Sequence, residues 1–175
     1  MPKSINNEPI EKLIYPVLSS KGRSVILGVG SSLNCDDGAG PAIAEALISA
    51  MKGRAPVNEN VMVINGCAAP ENFTGEIKRF GPDTLIIIDA ADFSGAPGSV
   101  SIIDLKDISG ATFSSHMLPV RIMAEYLEKE TGCKTFLIGI QPESVLYGDV
   151  LSLPVSRAVK EIIKIALAFI LKPVS

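Results

Sequence analysis

The chain has 175 residues, 47% hydrophobic and 20% charged, which excludes a disordered polymer and fits a single domain with a sizeable core. A net charge of −3 and a pI near 5.2 exclude a basic nucleic-acid footprint, and without Trp there is little to stack on bases. The longest apolar run, residues 162–171, carries Lys164 and falls short of the ~20 residues that cross a bilayer, so no membrane span is expected. Residues 1–11 carry charges of both signs and no apolar h-region, which makes the cytoplasm the expected compartment.

Apolar side chains at helical spacing over residues 10–19 predict a short N-terminal helix or irregular arm that Pro16 disrupts. Residues 1–22 are therefore set apart as a detachable arm, and 172–175 as a tail. The run at 24–28 reads as a strand buried on both faces and ending in glycine. A turn over 34–38 follows, then a helix opened by Pro41 and running to about Met51. Strands are expected at 60–64 and 84–88, the latter ending at Asp89, with a short helix at 70–79 between them. Residues 98–104 alternate in part, as an edge strand does. A helix over 116–131, a last strand over 134–140 and an amphipathic helix from Pro154 to about Leu171 complete the chain. Strands separated by helices predict a three-layer α/β/α domain over 23–171, with a mainly parallel twisted sheet of about five strands and helices on both faces.

In such sheets ligands bind beyond the carboxyl ends of the strands, which singles out three polar loops: 28–41 (GVGSSLNCDDGAGP), 89–92 (DAAD) and 141–143 (QPE). The first loop opens like a dinucleotide fingerprint, but Leu33 stands where the third glycine belongs. Asp36 and Asp37 would also meet a pyrophosphate with like charge. No Walker A lysine follows, and no nucleophile elbow occurs anywhere. Gly28 and Gly30 are equally explained by a sharp strand-to-helix turn. Of the paired acids, both cap the following helix, or one caps while the other faces a cation. Asp89 either satisfies a neighbouring helix N-terminus or joins that cation site. His116, the sole histidine, is either a packed or capping residue or a third ligand. One imidazole and two carboxylates with open positions suit divalent Zn, Ni, Mn or Fe. The three cysteines, Cys35, Cys67 and Cys133, form no C-x-x-C pair, and a Cys35 thiolate beside two aspartates is disfavoured as a nucleophile.

Residues 28–41, together with DAAD at 89–92 and SHMLP at 115–119, resemble the hydrogenase maturation endopeptidases, which finish the large subunit of [NiFe] hydrogenases. APEN at 69–72, IID at 102–104 and GIQP at 139–142 resemble the branch that serves formate hydrogenlyase-type and related membrane-bound hydrogenases. The resemblance spans about residues 23–171. It implies an endopeptidase that removes the C-terminal extension of a large-subunit precursor once nickel is in place, with the substrate's nickel as the recognition signal. It further implies contacts to that nickel from Asp37, Asp89 and His116, with Asp36 at a neighbouring position, and zinc as a stand-in ion in vitro. The partner so implied is the large-subunit precursor, met by a monomeric enzyme. Ser31 stands where the family usually has asparagine, and Asp37 where some branches have glutamate. Two other readings stand beside it: a nickel-dependent checkpoint chaperone that uses the same three residues and does not cut, and a nucleotide-binding Rossmann-like protein, favoured by Gly28 and Gly30 and opposed by Leu33, Asp36 and Asp37.

Overall fold

The computed structural model describes residues 9–19, 21–52, 58–103 and 117–171. Five strands form one sheet: β1 (Ser24–Val29), β2 (Val61–Cys67), β3 (Thr84–Ala90), β4 (Val100–Ile103) and β5 (Lys134–Ile140). Their order is β2-β1-β3-β5-β4. β2, β1, β3 and β5 run parallel, and β4 pairs antiparallel with β5 as the edge strand that its partial alternation suggests. The helices are α1 (Ile10–Leu18), α2 (Ala39–Met51), α3 (Thr74–Phe80), α4 (Met117–Thr131) and α5 (Leu153–Ile170). Short 3-10 turns, Cys35–Gly38 and Pro70–Phe73, precede α2 and α3.

Alternation along the central strands sends side chains into two cores. Ile26, Ile86 and Ile138 point to the face covered by α1, α2 and α5, where Ile14, Ile43, Leu47, Val155 and Ile162 are buried. Val25, Leu27, Leu85, Ile87 and Leu137 point to the other face, against Ile77 of α3 and Val120, Met123, Ala124 and Leu127 of α4. β1 is buried along its whole length, as a strand covered on both faces should be.

Three expectations need correction. α1 runs through Pro16 and ends two residues later, at Leu18. It is not detachable, because Ile14, Val17 and Leu18 are buried in the same core as α5. The apolar residues one turn apart that predict a helix also give it a face that must be covered. β3 extends past Ile88, so Asp89 lies within the strand, opposite Gly139 of β5, rather than just beyond it.

The order reverses between β1 and β3: from β1 the chain crosses to β2 on one side and returns to β3 on the other. That switch point is where loops diverge and leave a crevice. The first turn of α2 is pressed into it. A side chain at Gly40 would collide with the carbonyl oxygens of Val29 and Ile88, and one at Gly28 with the carbonyl of Gly40. Gly40→Ala therefore lifts α2 off two strands, and we expect a loss of about 1–3 kcal/mol in urea unfolding; wild-type stability would contradict this seat.

Candidate active site

The loop leaving β1 turns back sharply at Gly30, whose φ of +127° belongs to glycine. A Cβ there would collide with the Asp37 carbonyl, so the chain doubles over itself. The fold holds Asp37 from its own loop: the Ser31 N–H donates to Asp37 Oδ2 at 2.7 Å.

Asp36 and Asp37 part company at once. They sit in a 3-10 turn, in which adjacent side chains point about 120° apart. Asp36 is fully buried. Its Oδ2 accepts the N–H groups of Glu143 at 2.8 Å and Ser144 at 3.1 Å, and its Oδ1 that of Ser152 at 2.6 Å. Burial pushes this carboxyl up, but the N–H groups of Ser152, Glu143 and Ser144 outweigh it and hold Asp36 below the usual aspartate range. Neither acid caps α2, whose N-cap is Gly38 without a side-chain hydrogen bond. Asp36 is instead a clasp between the β1–α2 and β5–α5 loops. Backbone bonds from Asp36 N–H to Ser144 O, Cys35 N–H to Gly148 O and Gly148 N–H to Leu33 O close the same seam.

Asp89 is the opposite case. It is 5% exposed, at the carboxyl end of β3. Burial pushes its carboxyl well above the ordinary range, and the negative charge of Asp37 pushes it further, against one backbone N–H bond from Ala90. Among the described residues no lysine or arginine forms an ion pair with either acid; the two ion pairs found there join Lys78 to Glu130 and Arg121 to Glu125. The two carboxylates lie close enough for the charge of Asp37 to act on Asp89, and no counter-charge among the described residues offsets it. His116 lies outside the described residues, so the donors placed here are this acid pair, and no cluster of three metal-ligating side chains occurs among the described residues.

Two roles escaped the sequence reading, although both residues lie in loops it singled out. The clasp made by Asp36, read there as a cap or as a neighbour of the nickel contacts, is one. Gln141, buried at the end of β5, is the other: its Oε1 accepts the N–H groups of Phe93 at 2.9 Å and Gly95 at 3.0 Å, and its Nε2 donates to Asp92 Oδ1 at 3.2 Å. It shapes the loop that leaves Asp89, and its place at a strand end inside GIQP was the available signal. An open groove of about 650 Å3 lies beside α4, lined by Glu71, Thr74, Pro119, Ile122, Met123 and Tyr126. The glycines that evoke a nucleotide loop are accounted for by backbone packing, which leaves that reading without support.

The two shifted acids act on stability in opposite directions. Asp89, raised when folded, makes metal-free protein lose stability as pH rises from about 4 toward its folded value. Asp36, depressed when folded, contributes stability above about pH 4 that is lost as pH falls through its folded value. In urea unfolding of metal-free protein across this range, Asp89→Asn should remove the decline with rising pH and exceed wild type at neutral pH. Asp36→Ala, which strands three buried N–H groups, should lose about 3 kcal/mol or more at neutral pH. An unchanged pH slope for Asp89→Asn would contradict its uncompensated burial.

Comparison with known proteins agrees with this architecture. A family model described as HycI, hydrogenase maturation protease, matches residues 45–173, which takes in Asp89 and His116 and begins after the Asp37 loop. Over 139 residues the chain is 37% identical to the hydrogenase 3 maturation protease of Escherichia coli K12, covering 79% of this chain and 85% of that protein. The crystal structure of a [NiFe] hydrogenase maturation protease from Thermococcus kodakarensis superposes with a TM-score of 0.80 at 31% identity, covering 90% of this chain and 97% of the other. The hydrogenase maturating endopeptidase HybD of Escherichia coli does so with a TM-score of 0.69 at 28% identity, covering 83% and 90%. With its five-strand, mostly parallel sheet and its matches in sequence and fold, the chain belongs to the hydrogenase maturation protease family and is a [NiFe] hydrogenase maturation endopeptidase.

Proposed function

We propose that this endopeptidase removes the C-terminal extension of a hydrogenase large-subunit precursor after nickel insertion, and that the substrate's nickel is sensed by Asp37, Asp89 and His116. The observation that carries the reading is Asp89: an acid buried at the switch point, beside a second acid, with no basic partner among the described residues. Such a group is stabilised by an arriving cation more than by anything the described chain supplies.

Nickel enters as part of the substrate, held by precursor cysteines. Two carboxylates and one imidazole leave coordination positions for those cysteines and so bind the ion weakly alone. Substrate and enzyme ligands then act as linked contacts, and a nickel-free precursor offers only one of them. This favours cutting after metal insertion over a check without cutting, since the family is one of proteases. For hydrolysis the site has two resources. Nickel, as a Lewis acid, polarises water or the scissile carbonyl, and a carboxylate accepts the proton that water gives up. Asp89, which burial and the charge of Asp37 bias toward holding a proton, suits that role. The enzyme acts as a cytoplasmic monomer on this reading, and no helix of the described residues is long and apolar enough to cross a membrane.

The test is incubation with nickel-loaded and nickel-free precursor, followed by mass measurement of both fragments. Nickel-loaded precursor should yield two fragments and nickel-free precursor none. His116→Ala and Asp89→Ala should each slow cutting at least about 100-fold. Equal cutting of both precursors would remove nickel as the signal, and full activity of His116→Ala would remove the imidazole from the site.

A further inference from the structure

Among the described residues, most of the large apolar side chains exposed to solvent gather in one region. Leu33, Val145, Leu146, Tyr147, Val150 and Leu153 are all exposed, with Leu146 at 75% and Tyr147 at 87%. Elsewhere among the described residues only Tyr15, Ile122 and Tyr126 are comparably placed. Five of the six belong to the two loops that Asp36 clasps together, and Leu153 opens α5 directly after them: Leu33 lies four residues before Asp37, and Val145, Leu146, Tyr147 and Val150 flank Gly148, which bonds to the Leu33 carbonyl and the Cys35 N–H. This is not a floppy loop that happens to show apolar atoms. Three N–H bonds to a buried carboxylate and a bridge from Asn34 to Gly148 fix its backbone, so the cluster is presented in a set shape. Folding gains nothing from displaying it, and an exposed apolar cluster of this kind marks a surface that is covered in use.

We propose that this cluster is the docking surface for the polypeptide substrate, and that it receives an apolar segment of the precursor bearing a basic flank. The proposal rests on the protease reading above and adds to it where the chain to be cut is held. Continuity supports it: Leu33 lies in the same loop as Asp37, whose charge acts on Asp89, and Tyr147 lies in the loop that bonds to it. Charge sets the occupant's chemistry. Glu143 and Asp149, both exposed, frame the apolar residues, and residues 141–153 carry no lysine or arginine. An anionic lipid surface or a nucleic acid would be repelled, whereas an apolar segment with lysine or arginine beside it is matched.

The experiment compares wild type, a triple variant (Leu146→Ser, Tyr147→Ser, Val150→Ser) and a charge variant (Glu143→Gln, Asp149→Asn) on nickel-loaded precursor. All five positions are exposed and none belongs to the acid pair or the clasp's acceptor. The triple variant should raise KM at least 10-fold with kcat at saturation unchanged, and the charge variant should raise KM less and abolish most of its salt dependence. Direct titration of the precursor should show the same loss of affinity. Unchanged KM and affinity in the triple variant would overturn the proposal. So would a wild-type dimer that this variant converts to monomer with KM unmoved, or vesicle binding lost in the variant with KM unmoved. Patch-dependent binding of a precursor that wild type then fails to cut would break the proposed reaction and leave the docking surface standing.

Discussion

The approach of α2 to the sheet is the constraint on which the rest of the molecule depends. Its first turn sits against the carbonyls of Val29 and Ile88, at a separation open only because Gly28 and Gly40 have no side chains. With the helix seated there, the nine residues between β1 and α2 have to fold back over the end of β1 rather than reach away from it. Gly30 makes that reversal and the Ser31 N–H catches Asp37 at its close. The carboxyl of Asp37 is thereby fixed at the switch point, where its charge acts on Asp89 near the end of β3. A fold-level packing rule, close approach of helix and strand, becomes the positioning of one functional group.

Asp36 and Asp89, one before α2 and the other in β3, are treated in opposite ways, and physical chemistry says why both are tolerated. Asp36 loses its water but gains three backbone donors, so its charge is kept and its carboxyl is held low. Asp89 loses its water and gains one, with Asp37 nearby, so its charge is resisted. The first arrangement ties loops together and raises stability at neutral pH; the second lowers it. A chain retains a destabilising buried acid where something outside the fold compensates it, and this is the sense in which strain and unmet charge mark sites of action. Cys35, held at a φ of +46° immediately before the two acids, belongs to the same pattern.

Much of the architecture was legible because the signals are local. Apolar runs at 24–28 and 84–88 are too short and too uniform for surface helices, and the glycines, prolines and polar turns between periodic segments mark their ends. What was not legible depends on partners distant in the chain. The donors to Asp36 lie 107, 108 and 116 residues away and are backbone N–H groups, which have no side-chain signature. For the same reason the pair Asp36 and Asp37 could not be divided by inspection: identical neighbours acquire different roles from the pitch of a 3-10 turn. α1 shows the limit in another form. Its apolar spacing revealed a face to be buried, but only the packed structure reveals that Ile14 and Leu18 complete the core under α5. Asp89 was recognised by type and misplaced by one step, since an apolar run stops where an acid begins while the hydrogen-bonded ladder carries on to Ala90.

On the proposed reading, weak contacts joined by a rigid frame account for a nickel checkpoint in an enzyme of this size. If the exposed cluster alone held the precursor tightly, nickel-free chains would occupy the enzyme and no discrimination would follow. If the acid pair and the imidazole alone bound nickel tightly, free ion would fill the site. Two weak contacts presented together convert the second into an intramolecular event, so affinity rises steeply only for a partner that carries both. The gain requires that the contacts be held at a fixed spacing, because a slack connection dilutes the effective concentration. Asp36 meets that requirement: a single buried carboxylate fastens the loop bearing Leu146 and Tyr147 to the loop bearing Asp37. The residue that touches neither metal nor peptide on this reading is therefore the one that makes their recognition cooperative.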